Sequence, residues 1–128
     1  MNWIILLSLI LSGVATYYPA EKFAGQPLYC NYQDGSLVYD ESLEPWIAVD
    51  VSLYQSGQVQ CGDLFQLIFE DGHTITARAW DAGTFDAYYV NTWPNLPIVV
   101  DLPEHLRPSA GAARVVALNL SALERLTP

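Results

Sequence analysis

The sequence predicts an all-β domain, built as a small closed barrel or a sandwich. Three observations carry that reading. Six short apolar runs are spaced along the chain, Asp71-Gly72 marks a hairpin between two of them, and helix signals are scarce. Closing such a sheet also removes the edges that apolar strands would otherwise expose.

The runs follow in order. Val14–Tyr18 is short, β-branched and aromatic, and Trp46–Leu53 is mostly apolar. Leu64–Glu70 and Thr74–Trp80 flank the Asp-Gly turn. In the second of these arms Ile75, Ala77 and Ala79 share one face, and Thr74, Thr76, Arg78 and Trp80 share the other. That alternation is the mark of a strand with one face in a core. Ile98–Leu102 and Val115–Leu120 are further strand-length runs. Short helical turns are expected at Ser42–Glu44 and Pro103–Leu106, and residues 121–128 read as a weakly helical or frayed tail. No repeat and no low-complexity stretch is visible.

A length of 128 residues suggests one domain, and 52% hydrophobic residues suffice for one core. The net charge is −9, with 14 acidic residues against five basic ones. Lys22, Arg78, Arg107, Arg114 and Arg125 are scattered, so a nucleic-acid partner is not expected. No phosphate loop or dinucleotide fingerprint is present, so no nucleotide cofactor is indicated. His73 and His105 have no nucleophile at a useful spacing, and no Ser-His-Asp or Cys-His arrangement is legible.

The apolar run from Trp3 to Leu11 is too short to span a bilayer as a helix. It has the length of a signal-peptide core, and Gly13-Val14-Ala15 supplies small residues for cleavage. Residues 1–15 are therefore read as a signal peptide, although no Lys or Arg precedes the run. The competing reading is a buried first strand in a cytoplasmic protein. Cys30 and Cys61 lie without a CxxC or clustered His, so a metal site is not expected. In an exported chain they would form one disulfide, and in a cytoplasmic one they would be buried thiols.

Two runs each deliver an aspartate to a strand end: Asp81, entering the turn Asp81-Ala-Gly83-Thr-Phe85, and Asp101, ahead of Leu102-Pro103. Strand ends are rigid and the adjoining loops open, which is where binding and catalytic groups tend to sit. Asp also caps turns for purely local reasons. Tyr88, Tyr89 and Trp93 fall in the connection between the two aspartates. Aromatic faces there, with Tyr17 and Tyr18 added, would form a flat apolar platform beside a groove.

A series of motifs runs in one order from residue 13 to residue 120. It opens with Gly13-Val-Ala-Thr-Tyr17-Tyr18, continues through the segment 24–31 with Cys30, and reaches Trp46-Ile-Ala-Val-Asp50. Cys61-Gly62-Asp63-Leu-Phe, the Asp71-Gly72 hairpin, Asp81-Ala-Gly-Thr-Phe85, Val-Val-Asp101-Leu102 and Gly111 before Val115-Val116 complete it. This order resembles the double-psi β-barrel family of rare-lipoprotein-A-like domains, barwin-like proteins and the first domain of expansins. The resemblance implies a six-stranded double-psi β-barrel over residues 16–120, with one or two short helical turns and a Cys30–Cys61 disulfide.

The resemblance also implies a secreted or cell-envelope protein that binds cell-wall polysaccharide, peptidoglycan or β-glucan. A monomer without cofactor, metal or membrane span in its mature form is expected. Asp81 matches the aspartate tied to transglycosylase activity in rare-lipoprotein-A-like proteins, and Asp101 matches a functional aspartate of the expansin-like branch. Asp50 is a third candidate carboxylate for the groove. Departures weigh against catalysis. The family's His after an Ala-Ala pair is absent near Ala48-Val49-Asp50. The Asp-Arg-Gly-Pro turn has become Asp81-Ala-Gly-Thr, and the Ser after Asp-Leu is Pro103. The expected function is thus a polysaccharide-binding module. The alternatives are a lytic transglycosylase or glycosidase using Asp81 as general acid/base, and a barwin-like protease inhibitor or protein-binding module.

Overall fold

The computed structural model describes residues 9–19, 25–33, 38, 44–85, 96–108 and 114–126. Six strands close into one barrel: β1 (Ile10–Tyr18), β2 (Trp46–Asp50), β3 (Leu64–Phe69), β4 (Thr74–Gly83), β5 (Ile98–Pro103) and β6 (Arg114–Asn119). Around the ring the order is β1-β5-β2-β4-β3-β6. The barrel, not the sandwich, is the arrangement adopted.

The ring has a hidden two-fold. Advancing each strand by three positions in chain order maps every neighbour onto another neighbour of the same direction. The parallel pair β1–β5 becomes the parallel pair β4–β2, and the antiparallel β1–β6 becomes β4–β3. Its trace in the sequence is Ile47-Ala-Val-Asp50 against Ile98-Val-Val-Asp101, a match too short to register as a repeat.

The core fills from alternate residues. Ile47, Val49, Phe65, Leu67, Val100, Leu102 and Ala117 are fully buried in one cluster, with Ala77 and Ala79 from β4 beside them. Each large side chain so buried contributes roughly 1.5–3 kcal/mol. The face of β4 read from its alternation is indeed the core face. Gly13 is required by close approach: a Cβ there would lie 2.1 Å from the Pro97 carbonyl oxygen, which accepts the Val14 N–H at 2.9 Å.

Two short helices follow strands. The run expected as one strand to Leu53 stops at Asp50, because Asp50 is an N-cap. Its extended backbone and its carboxylate, accepting the Ser52 N–H, start α1 (Val51–Gln55). The C-terminal segment forms α2 (Leu120–Leu126), with Ala122 buried. Arg125 from α2 pairs with Asp63, which is 3% exposed and also accepts from Asn119. Glu104–Leu106 forms the expected turn as a 3-10 helix, while 42 and 43 lie outside the described residues.

Cys30 and Cys61 form a disulfide with Cα atoms 5.8 Å apart. It seats a satellite cluster of Leu28, Cys30 and Trp46 on the outside of the barrel. Gly62, at φ +90°, lets the chain turn against the Trp80 ring, 3.0 Å from where a Cβ would sit. Strand β1 takes in residues 10–15 of the segment read as an export signal, and Val14 and Ala15 are buried. Among the described residues no helix is long and apolar enough to cross a membrane.

Candidate functional site

The site is a row of residues across four adjacent strands. Ala48 on β2 pairs with Asp81 on β4 at one side and with Asp101 on β5 at the other. Asp101 in turn pairs with Thr16 on β1. Adjacent strands lie about 4.8 Å apart, so the two aspartate backbones are roughly 10 Å from each other.

Two bulges put this row outside the core. On β4 Ala77 and Ala79 point inward, and strict alternation would send residue 81 inward as well. The register slips at Trp80, so that Ile47 pairs with Ala79 but Ala48 with Asp81. That extra residue carries Asp81 to the outer face beside Ala48. On β5 the register slips at Val99, so Val14 pairs with Ile98 and Ala15 with Val100. Val100 and Leu102 stay in the core, and Asp101 faces out.

Asp101 is held from β1: the Thr16 hydroxyl donates to its Oδ1 at 2.9 Å. Burial pushes its carboxyl up to about 6. The Thr16 hydrogen bond opposes that rise, and the nearby Asp81 charge adds to it. Asp101 also lines a cleft of about 360 Å³, with Thr16, Tyr17, Thr84, Phe85 and Ile98 around it. Over the Tyr17 ring sits the Arg107 guanidinium, 4.8 Å from the centroid. Burial, more than any charge, raises the Tyr17 hydroxyl to about 12.

Asp81 is 8% exposed and is held from two other elements. The backbone N–H of Tyr29, next to the disulfide, donates to its Oδ1 at 3.0 Å. The Tyr54 hydroxyl, from α1, donates to its carbonyl oxygen at 2.8 Å. The Tyr29 and Tyr54 rings stack with centroids 4.9 Å apart.

The other sequence candidates take separate places. Asp50 lies at the end of β2 and serves as a brace: it caps α1 and accepts the Phe85 N–H at 2.8 Å. Burial acts to raise its carboxyl, but the Ser52 and Phe85 hydrogen bonds outweigh that and hold it below the usual range. The Tyr18 hydroxyl accepts the Trp46 Nε1–H at 2.8 Å, which places Tyr18 with the satellite cluster. Tyr88, Tyr89 and Trp93 lie outside the described residues. Thr16, Tyr29 and Tyr54 escaped the sequence reading as site residues. Thr16 was inside the opening motif. Tyr29 and Tyr54 had no signal of their own, because only the disulfide and the Asp50 cap bring them to Asp81. Among the described residues no group of three or more His, Cys, Asp or Glu is placed to hold a metal ion.

No family model matches the chain, and no curated protein matches it. Among solved structures the chain is similar to the apo crystal structure of an expansin from Clavibacter michiganensis. The TM-score is 0.56 at 18% sequence identity, over 87% of this chain and 50% of that one. The chain thus spans half the length of the expansin chain it matches. With the closed six-stranded ring, this likeness gives the fold as a double-psi β-barrel.

Proposed function

We propose that the barrel is a secreted module that binds cell-wall polysaccharide, peptidoglycan or β-glucan, along the outer face of β4, β2, β5 and β1. The observation that carries this reading is the row Asp81–Ala48–Asp101–Thr16. Ala48 has only a methyl group and is 3% exposed, so no bulky side chain separates the two carboxyl groups. A glycan suits such a pair, because its hydroxyls donate to carboxylates. The cleft beside Asp101 extends the surface toward β1. The disulfide fits an exported protein.

An enzymatic reading is favoured by one observation. A carboxyl with a pKa of about 6, such as Asp101, still carries a proton over much of the weakly acidic range and serves as a general acid there. In that reading Asp101 supplies the proton, the role that the motif matches give to Asp81. The lost His, Arg and Pro of the related motifs favour binding without turnover.

The test is direct. Purified protein is incubated with insoluble peptidoglycan and with β-glucan, then sedimented, and the supernatant is analysed by mass spectrometry. Co-sedimentation without soluble products is the expected result. Release of anhydro-sugars that vanishes in Asp101→Asn or in Asp81→Asn identifies a transglycosylase instead. Failure to sediment with either glycan removes the polysaccharide reading and leaves the protein-binding one.

A further inference from the structure

We infer that Tyr29, backed by Tyr54, is the stacking platform of a sugar subsite at the Asp81 end of the row. This rests on the polysaccharide reading above and adds a subsite to it, for a β-linked pyranose chain with exposed apolar ring faces.

Three observations converge on Tyr29. It is 40% exposed, one of a handful of large apolar or aromatic side chains exposed among the described residues. Its ring is backed by the Tyr54 ring at 4.9 Å and 27° between planes, so it presents as a supported plate. Both tyrosines are tied to Asp81, one through its backbone N–H and the other through its hydroxyl. The plate is therefore fixed relative to the carboxylate that would bind sugar hydroxyls.

Rigid attachment matters energetically. A flexible aromatic gives up rotamer freedom when a ligand lands on it, and a supported one has already done so. The disulfide at Cys30 adds to this, because it anchors the residue next to Tyr29 to the chain at Cys61. At the other end of the row Tyr17 lines the cleft beside Asp101, with Arg107 over its ring. Tyr17 itself packs against the barrel core, so the exposed aromatic lies at the Asp81 end. From Thr16 to Asp81 it crosses three strand spacings, roughly 14 Å, room for a short run of pyranose rings.

The chemistry also selects among glycans. The row carries two aspartates, in a chain of net charge −9. A polyuronate would be repelled, so a neutral or amino-bearing chain is the partner.

The experiment compares variants on two insoluble probes, cellulose and peptidoglycan sacculi, with polygalacturonate as the acidic control. Tyr29→Ala keeps the backbone N–H that holds Asp81, so it removes the plate and spares the carboxylate. It should weaken sedimentation on the bound probe about five- to tenfold, and Tyr29→Phe should restore it. Undiminished binding by Tyr29→Ala overturns the inference and leaves the polysaccharide reading intact. A wild type that sediments with neither cellulose nor sacculi overturns both, and one that prefers polygalacturonate overturns the selectivity. Should Tyr29→Ala fail to fold, the wild type decides. With cellohexaose or soluble peptidoglycan fragments added, the Tyr29 ring resonances should shift in NMR spectra, and unshifted resonances at saturation overturn the subsite.

Discussion

Thr16 donates its hydroxyl to Asp101 across the parallel β1–β5 pair, at 2.9 Å. This bond and the Asp81 charge act on Asp101 in opposite directions. The first favours the ionised carboxylate, and the second disfavours it. Thr16→Val should therefore raise the Asp101 pKa above its value of about 6, whereas Asp81→Asn should lower it. Carbon-13 NMR titration of the Asp101 carboxyl reads both. If Asp81→Asn leaves the titration unmoved, the two carboxylates do not share a face.

Asp101 and Asp63 should make stability depend on pH with opposite signs. The native pKa of Asp101 lies above its ordinary value of 3.8, so folding favours its proton. Its contribution is full below pH 3.8 and is lost as pH rises through about 6. Asp101→Asn removes that loss and should raise Tm at pH 7.5 by about 3 °C, with the difference closing at pH 3.5. Asn can still accept the Thr16 hydroxyl. Thermal melts of both proteins across this range are the measurement.

Asp63 is the converse case. Burial acts to raise its carboxyl, but Arg125, the Gln60 N–H and Asn119 together hold it below the usual range. Its stabilisation is present above pH 3.8 and is lost as pH falls through the lower native value. Arg125 reaches it with both terminal guanidinium nitrogens, at 2.7 and 3.0 Å. Asp63→Ala leaves Asn119 without this acceptor in a buried site and removes the ion pair to Arg125 of α2. It should cost about 3 kcal/mol at pH 7 by urea denaturation. A loss within a few tenths of a kcal/mol would show that the α2 contact is dispensable.

Much of this fold was legible in the sequence because barrel strands carry period-two alternation and hairpins carry turn chemistry. β4 is the clearest example, with Ala77 and Ala79 inward as its pattern required. Legibility stopped where a single residue changed the register. The bulge at Trp80 decides which face Asp81 occupies, and no local signal at Ala79-Trp80-Asp81 distinguishes a bulge from continued alternation. Asp50 misled in a related way: its apolar surroundings extend the strand pattern to Leu53, yet its own capping bond ends the strand. Tyr29 and Tyr54 belong to the site only through contacts between distant parts of the chain, which periodicity cannot register.

The disulfide should account for a measurable share of stability. It closes a loop with a sequence separation of 31, for which chain entropy gives about 4 kcal/mol. Replacing both cysteines with alanine should lower the unfolding free energy by about 2–4 kcal/mol. Because Cys30 adjoins Tyr29, the same variant should also raise amide exchange at Tyr29, whose N–H is bonded to Asp81. Unchanged exchange there would mean that the stacked tyrosines hold the segment without the disulfide.

The last prediction concerns the N-terminal segment. We propose that any export cleavage compatible with the folded barrel falls before Ile10 and not after Ala15. Ile10–Val14 supply every pairing of β1 with β6, from Ile10 against Leu118 to Val14 against Arg114. Val14 and Ala15 are themselves buried, and the Leu9 carbonyl accepts the Asn119 N–H at 2.9 Å. Cutting after Ala15 would leave β6 with a bare edge, open one side of the core, and remove all five β1–β6 ladder pairs and two of the β1–β5 pairs. The apolar run from Trp3 to Leu11 ends inside the strand, since a buried strand and a signal core draw on the same residue types. A chain starting at Thr16 should show no dispersed NMR spectrum, whereas one starting at Leu9 should fold. Intact mass of protein recovered from an export host gives the cleavage point. A folded, glycan-binding product that begins at Thr16 would refute the place of β1 in the barrel.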